Sequence, residues 1–182
     1  ETRKIREGHE ALRRGDWRGD LYRADVTGRE LNELTVGVIG YGNIGTKVVR
    51  LLRAFGAKVL VHDPYIQLAP EDAAAGVELV AFDRLLAESD VVTLHVPETP
   101  ATQGMFGAAQ IAGMKRGAHL INASRGTVVD IEALAEALRS GRIGGAAVDV
   151  FPVEPKGSDE EFASPLRGMA NVILTPHVGG ST

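Results

Sequence analysis

Residues 34–45 read LTVGVIGYGNIG, and they set the architecture that we predict for the whole chain. Residues 36–39 form a short β-branched run that is typical of a buried parallel strand. Residues 40–45 match the pattern G-x-G-x-x-G, in which the first glycine permits a tight turn, the second lets backbone approach a pyrophosphate, and the third lets the next helix pack on the strand. These roles fall to Gly40, Gly42 and Gly45. The stretch therefore predicts a dinucleotide-binding turn.

The sequence that follows matters for this interpretation, because glycine-rich turns also arise for purely conformational reasons. Residues 46–55 predict a helix that ends at Gly56 and whose apolar residues lie mostly on one face. These apolar residues are Val48, Val49, Leu51, Leu52 and Phe55. Residues 58–62 then predict a second strand. Strand, glycine turn, helix and strand in this order are typical of a dinucleotide-binding unit.

The second predicted strand ends at Asp63, which lies 23 residues after Gly40. In a dinucleotide-binding unit, the carboxylate that accepts hydrogen bonds from both ribose hydroxyls of NAD lies at about this distance. The same carboxylate repels the 2′-phosphate of NADP, so we expect NAD to be the cofactor. The alternative role for Asp63 is that of a turn residue before Pro64.

Composition limits the classes of function. The chain has 182 residues, of which 44% are hydrophobic and 24% are charged, as expected for one globular α/β domain. Its net charge of −4 argues against binding to nucleic acid or to an anionic membrane surface. The absence of cysteine excludes disulfides, thiolate metal sites and a cysteine nucleophile, and we predict no metal site. We expect a cytoplasmic protein.

Strand and helix patterns alternate through the remaining sequence. The predicted strands cover residues 90–96, 118–122, 145–150 and 172–175, with a short apolar segment at 77–80, and the predicted helices cover 70–75, 82–89, 108–114 and 131–140. This alternation predicts an α/β fold: a doubly wound parallel sheet of the Rossmann type with helices on both faces.

The first residues of the chain differ from this pattern. Residues 1–14 are highly charged and helical in pattern, and their apolar residues Ile5 and Leu12 make only a thin stripe, so the predicted helix needs a partner surface. Residues 16–29 predict an irregular linker. We therefore divide the chain into a connecting helix and linker over 1–30 and a dinucleotide-binding domain over 31–182.

Polar residues that follow the later predicted strands are candidates for function, because ligands of doubly wound sheets bind at the carboxyl ends of the strands. Arg125 offers a fixed planar cation that suits a substrate carboxylate or carbonyl. Glu154 stands between Pro152 and Pro155. His177 has a side chain that can release a proton during ketone reduction and take one back during alcohol oxidation. The alternatives are a surface salt bridge for the arginine and a structural role for the histidine.

Five motifs of the sequence resemble those of the D-isomer-specific 2-hydroxyacid dehydrogenases. They are VIGYGNIG at 38–45, LHVPETPAT at 94–102, INASRGTVVD at 121–130, AAVDVFPVEP at 146–155 and LTPHVGGST at 174–182. The resemblance covers nearly the whole chain and keeps the order of the motifs. It implies the NAD-binding domain of an oxidoreductase that acts on the CH–OH group of a D-2-hydroxy acid.

The resemblance also implies roles for the residues of the active site. Arg125 would anchor and polarise the 2-oxo acid group of the substrate. His177 would be the proton donor and acceptor, and Glu154 would orient its imidazole. Asn43 and Ile44 would present backbone groups to the pyrophosphate, and Asp63 would hold the adenosine ribose.

By the same resemblance, a further set of residues would line the nicotinamide end of the cofactor. The set consists of Val96, Ala123, Ser124, His177, Val178, Gly179 and Gly180, and Pro97 and Arg125 would also contact the cofactor. Asp149 would lie near the carboxamide. The alternative role for Asp149 is that of a turn or cap residue.

Members of this family also contain a smaller substrate domain, so we expect this chain to be the cofactor-binding domain alone and to be inactive by itself. The motif wording favours 3-phosphoglycerate as the substrate, with hydroxypyruvate, glyoxylate and D-lactate left open. We expect a homodimer, since family members pair through the cofactor domain. The alternative function is a non-catalytic dinucleotide-binding module, such as the NAD-sensing part of a corepressor of the C-terminal-binding-protein type.

Overall fold

The structure is a computed structural model that describes residues 5–17, 19–23, 28–157 and 159–180. Its strands are β1 (Thr35–Ile39), β2 (Lys58–His62), β3 (Glu78–Leu79), β4 (Val91–Leu94), β5 (His119–Asn122), β6 (Gly145–Val148) and β7 (Val172–Leu174). Its α-helices are α1 (Ile5–Arg13), α2 (Gly45–Ala54), α3 (Pro70–Ala74), α4 (Phe82–Glu88), α5 (Ala108–Gly113) and α6 (Ile131–Arg139).

The seven strands form one parallel sheet in the order β3-β2-β1-β4-β5-β6-β7. The chain moves outward from β1 to β3 on one side, and returns to the centre to add β4 to β7 on the other side. This order reverses between β1 and β4, where a doubly wound sheet opens its ligand crevice. The predicted fold class is confirmed.

Helices cover both faces of the sheet because neighbouring strand residues point to opposite sides. Val38 packs with Val49 of α2 on one face, whereas Ile39 belongs to the larger cluster that includes Leu85 of α4 on the other face. The same larger cluster takes up the buried residues of α5 and α6. Near-continuous apolar strands are the sequence signature of a sheet that is buried on both sides.

The predicted apolar face of α2 was wrong in part. Val49 is fully buried and Val48 and Leu52 pack against the same cluster, but Leu51 and Phe55 are 62% and 66% exposed. Successive residues of a helix are about 100° apart, so positions 48, 49 and 52 face the sheet while 51 and 55 turn away from it. Apolar content alone overestimated the buried face.

The predicted first helix is present over Ile5–Arg13, and the two residues of its predicted apolar stripe are exposed, Ile5 by 76% and Leu12 by 57%. Ala11 is its buried residue, and Arg6 Nη1 donates to the carbonyl of Val172 beside β7. Residues 1–4, 18 and 24–27 of the predicted connecting segment lie outside the described residues. The division of the chain at residue 30 stays a prediction. None of the helices in the described ranges has the length and hydropathy that a membrane crossing requires.

Candidate active site

The residues proposed from the sequence as site residues all follow strands of the parallel sheet, at the same edge. The segment 40–45 follows β1, Asp63 follows β2, and Val96 and Pro97 follow β4. Residues 123–125 follow β5, Asp149 and Glu154 follow β6, and residues 177–180 follow β7. The fold therefore gathers into one row residues that are scattered over 140 positions of sequence.

Two glycines of the turn after β1 are required by the protein itself. Gly40 has φ +92°, and a Cβ atom there would lie 2.7 Å from the carbonyl oxygen of His95. At Gly45, a Cβ atom would lie 2.0 Å from the carbonyl oxygen of Gly40. The first glycine thus lets the turn pass the end of β4, and the third lets α2 start directly against the turn.

Gly42 is different, because neither packing nor backbone conformation requires a glycine there. Its φ is not positive, and a Cβ atom would meet nothing within 4 Å. The amides of Asn43 and Ile44 donate to no acceptor within the described part of the chain, and both residues are exposed. Open space beside free N–H groups at the start of a helix fits a bound pyrophosphate.

Asp63 is held in a fixed orientation by two backbone amides. Its Oδ2 accepts from Tyr41 N at 2.9 Å, and its Oδ1 accepts from Tyr65 N at 2.9 Å. The second bond is the turn role that the sequence left open for this residue. The first bond holds the carboxylate beside the glycine turn. A residue that binds the adenosine ribose must lie at this position in this fold.

The loop after β5 carries Arg125 and is shaped by Asn122, a residue that the sequence reasoning missed. Asn122 Oδ1 accepts from the amide and the hydroxyl of Ser124, at 3.1 and 2.8 Å, while its Nδ2 donates to the carbonyl of Arg125 at 3.1 Å. Asn122 is fully buried, and three of the four hydrogen-bonding positions of its side chain are used within the loop. A polar residue at the end of an apolar strand is the sequence signal that identifies it.

Arg125 extends from this loop with most of its donors available. Its Nη1 donates to the carbonyl of Ser124 at 2.7 Å, and Arg125 is exposed. At the next position, a Cβ atom on Gly126 would lie 2.0 Å from the carbonyl carbon of Phe151. This close approach brings the arginine loop against the loop after β6, which carries Glu154.

Glu154 and His177 form the central pair of the site. His177 Nδ1 lies 2.8 Å from Glu154 Oε2, while Glu154 Oε1 accepts from the amide of Phe151 at 3.0 Å. The hydrogen bond to His177, followed by that from Phe151, lowers the pKa of Glu154 below its usual range. The glutamate is therefore an ionised acceptor at neutral pH, so His177 carries a proton on Nδ1, and its Nε2 makes no hydrogen bond within the described residues.

Asp149 shapes the loop on which His177 stands. Its Oδ1 accepts from Thr175 Oγ1 at 2.5 Å and from Val178 N at 3.0 Å, and its Oδ2 accepts from Gly179 N at 2.9 Å. Burial raises the pKa of Asp149, but these three hydrogen bonds outweigh burial and the net pKa is lowered. The turn role that the sequence offered as the alternative for Asp149 is therefore present. A contact with the nicotinamide carboxamide stays a prediction.

His177 itself has a backbone conformation that is unusual for a residue with a side chain. Its φ is +53°, a left-handed conformation that costs about 1 to 2 kcal/mol outside glycine. Its amide donates to the carbonyl of Asp149 at 2.8 Å, which helps to maintain this conformation. The strained backbone of His177 thus holds its imidazole in one orientation, and such strain is typical of functional loops.

The segment after β4 closes the central part of the row. His95 N donates to the carbonyl of Ile39, and His95 Nε2 lies 3.0 Å from Thr93 Oγ1. Burial lowers the pKa of His95, so this imidazole is neutral at physiological pH. Pro97 accepts at its carbonyl a hydrogen bond from Thr102 Oγ1, which fixes the start of the following loop.

One of the cavities of several hundred Å³ borders the site. A cavity of about 380 Å³ is lined by both members of the central pair and by apolar residues that include Phe151, Phe162 and Leu174. A cavity of about 450 Å³ lies at the opposite edge of the sheet, beside Asp90 and Lys115. We assign function to the first edge, because parallel α/β sheets bind ligands at the carboxyl ends of their strands.

Comparison with known proteins supports the same interpretation. Residues 1–179 match the family model of the D-isomer specific 2-hydroxyacid dehydrogenase, NAD binding domain. D-lactate dehydrogenase from Aquifex aeolicus, solved with NAD and lactic acid, superimposes with a TM-score of 0.88 at 34% identity, over all of this chain and 56% of that one.

Several curated relatives, among them proteins from Haemophilus influenzae and Escherichia coli K12, carry the name D-3-phosphoglycerate dehydrogenase. The protein from Haemophilus influenzae is 44% identical over 180 residues, which are 99% of this chain and 42% of the relative. The protein from Escherichia coli K12 is 50% identical over 147 residues, which are 81% of this chain and 35% of the relative. The chain therefore spans less than half the length of these relatives.

Proposed function

Because this chain belongs to the family of D-isomer-specific 2-hydroxyacid dehydrogenases and spans its NAD-binding domain, we propose that it binds NAD at the strand ends and supplies the catalytic residues that oxidise a D-2-hydroxy acid. The observation that carries this proposal is the Glu154–His177 pair at 2.8 Å. A non-catalytic NAD-sensing module needs the glycine turn and Asp63, but it has no use for an oriented proton acceptor.

The residues along the row of strand ends would hold the cofactor. The free amides of Asn43 and Ile44 would bind the pyrophosphate, and Asp63 would accept hydrogen bonds from the hydroxyls of the adenosine ribose. Its negative charge disfavours the 2′-phosphate of NADP. Residues of the β5, β6 and β7 loops would hold the nicotinamide end, and bound NAD would supply the acceptor for the hydride that the substrate carbon loses.

His177 moves the proton of the reaction. Its Nε2 accepts the proton of the substrate hydroxyl as the alcohol becomes a ketone, and returns it in the reverse direction. Glu154 stabilises the resulting imidazolium through Nδ1 and keeps the ring in one orientation. The lowered pKa of Glu154 keeps the carboxylate charged while the imidazole gains its proton.

Arg125 binds the substrate. Its guanidinium has donors left over after the bond to the Ser124 carbonyl, and two of them match a carboxylate in a planar, bidentate geometry. The same cation stabilises negative charge on the oxygen that becomes the carbonyl. The contact of Gly126 with Phe151 keeps this cation close to the loop of Glu154.

The substrate that we propose is D-3-phosphoglycerate, which is oxidised to 3-phosphohydroxypyruvate in the biosynthesis of serine. The names of the curated relatives, at 42–50% identity, support this choice over D-lactate, hydroxypyruvate and glyoxylate. The protein acts in the cytoplasm as a homodimer. The exposed Ile5, Leu12 and Trp17 provide an apolar surface for that pairing, and light scattering that finds only monomer at high micromolar concentration would contradict it.

The decisive experiment combines binding with turnover. Calorimetry on the 182-residue chain should find NAD binding in the micromolar to millimolar range and much weaker binding of NADP. NADH formation should then be measured with D-3-phosphoglycerate, D-lactate and D-glycerate, using the natural polypeptide that carries this sequence. NAD binding without oxidation of any of these acids by that polypeptide would favour the sensing module, and absence of NAD binding would overturn the whole proposal.

A further inference from the structure

Tyr41, the residue between the first two glycines of the turn, is buried and its hydroxyl is engaged in the interior. The side chain is 5% exposed and packs with the valines of β1, β2 and α2. Its hydroxyl donates to Asp72 Oδ2, a carboxylate at the start of α3 that is fully buried. Burial, followed by the hydrogen bond to Asp72, raises the pKa of Tyr41.

Asp72 has a second partner that anchors it to a different helix. Arg53 Nη1, from the last turn of α2, donates to Asp72 Oδ1. Both oxygens of the buried carboxylate are therefore in use, and its charge is neutralised by a guanidinium. One buried carboxylate therefore joins α2, α3 and the glycine turn in a single junction.

The backbone of Tyr41 performs a separate task. Its amide donates to Asp63 Oδ2 at 2.9 Å, the carboxylate that we assign to the adenosine ribose. One residue thus contacts a buried aspartate with its hydroxyl and the candidate ribose ligand with its amide. A phenylalanine ring would fill the same apolar space, so packing alone does not account for the hydroxyl.

We propose that Asp72, acting through Tyr41, is a positioning residue for Asp63 and so sets the affinity of the chain for the adenosine half of its cofactor. The inference rests on the proposed function, because it requires Asp63 to bind the ribose. The junction fixes the tyrosine, the tyrosine amide fixes one carboxylate oxygen, and the other oxygen is fixed by Tyr65 N. Loss of the hydroxyl removes the anchor and leaves the ring, so the amide at position 41 becomes free to shift.

A simple structural clamp between α2 and α3 is the competing explanation, and the chain contains a matched control for it. Arg50 Nη2 pairs with Glu71 Oε1 at 3.4 Å, and this pair joins the same two helices at neighbouring positions. Both side chains are mostly exposed, and neither bonds to the glycine turn within the described residues. Breaking this pair perturbs the helix contact without touching Tyr41.

The test is a double-mutant cycle on NAD affinity, measured by calorimetry. Tyr41→Phe should weaken NAD binding about three- to tenfold, the scale of one hydrogen bond, whereas Arg50→Gln should leave it unchanged. In the Asp63→Asn background, Tyr41→Phe should have little further effect, because the two positions act as one unit. Equal losses in both backgrounds, or no loss at all, would overturn the inference. No effect of Asp63→Asn by itself would instead refute the ribose contact of the proposed function.

A second measurement needs no ligand. In the free chain, the amide proton of residue 41 should resonate downfield because it donates to a carboxylate. In Tyr41→Phe it should move upfield, and in Arg50→Gln it should stay. A resonance that stays in place in Tyr41→Phe would show that the hydroxyl does not position this amide, and would overturn the inference even if affinity had changed through lower stability.

Discussion

The imidazole of His177 and the carboxylate of Glu154 meet at 2.8 Å across two loops, although 23 positions of sequence separate them. The loops follow β6 and β7, which are adjacent strands of the sheet. The pair is therefore a product of strand order, and its geometry depends on how each loop is tied down.

Replacement of His177 by alanine should reduce the proposed oxidation of a D-2-hydroxy acid by about a hundredfold to ten-thousandfold, because the proton acceptor is lost. NAD affinity should stay nearly unchanged. Glu154→Gln should give a smaller loss of kcat, since the amide still contacts the ring but no longer stabilises its charge. Steady-state kinetics and calorimetry on the natural polypeptide check both variants. Equal activity of His177→Ala would refute the assigned role, and Glu161→Gln on the nearby exposed loop serves as the control.

Gly42 and Gly45 should respond in opposite ways to alanine. Gly42→Ala meets open space, so the free energy of unfolding should hold or rise by up to about 1 kcal/mol, while NAD affinity falls. Gly45→Ala drives a Cβ atom into the carbonyl of Gly40 and should cost about 3 kcal/mol or more. Urea denaturation and calorimetry distinguish the two. Unchanged NAD affinity in Gly42→Ala would mean that the pyrophosphate does not lie against this glycine.

Asp90 should make the stability of the fold depend on pH. It accepts from Thr35 N, Arg29 Nη1 and Lys115 Nζ at 2.7–2.9 Å. Burial raises the pKa of Asp90, but the bonds from Lys115, Thr35 and Arg29 more than offset burial and the pKa is lowered. A carboxyl whose pKa is lower in the folded state contributes stability above its unfolded-state pKa, about 3.9, and loses it as pH falls through the folded-state value.

The measurement for Asp90 compares the free energy of unfolding of the wild type and Asp90→Asn between pH 7 and pH 3. The wild type should be more stable by about 1 to 3 kcal/mol near neutral pH, and the gap should close toward the acid end. Asp83→Asn, on the exposed first turn of α4, should show no such gap. A gap that stays constant over the whole range would contradict the assignment.

Replacement of Ser89 by alanine should stabilise the fold. Its side chain is fully buried and its hydroxyl has no hydrogen-bond partner among the described residues. A buried hydroxyl without a partner destabilises the folded state, so Ser89→Ala should raise the free energy of unfolding by about 1 kcal/mol. Ser140→Ala, at an exposed helix end, is the control and should stay near neutral. A loss of stability in Ser89→Ala would mean that the hydroxyl has a partner in solution.

The architecture could be predicted because each local pattern agreed with the global fold. The apolar runs, the glycine turn and the acidic residue at Asp63 are signals over a few neighbouring residues, and their order along the chain specifies the parallel sheet. The strand-end rule then placed Arg125, Glu154 and His177 in one row. Family resemblance supplied their roles, which no spacing alone indicates.

Contacts between distant residues could not be predicted in the same way. The bond from Tyr41 to Asp72 spans 31 positions, and Asp72 looks like an ordinary acidic residue in the first turn of a short helix. The prediction that Leu51 and Phe55 belong to the buried face was wrong for the opposite reason. Their apolar character suggested burial, but the packed face of the helix is narrower. Packing direction, which sequence pattern specifies only roughly, decides both cases.

Asp149 and Gly179 have consequences for exchanging parts between dehydrogenases. A Cβ atom at position 179 would lie 2.9 Å from Asp149 Oδ2, the same oxygen that accepts the amide of that glycine. A graft of residues 175–180 into another parallel sheet will therefore retain the conformation of His177 only if the recipient has an aspartate after the neighbouring strand. Asp149 and Gly179 should therefore be transplanted or randomised together.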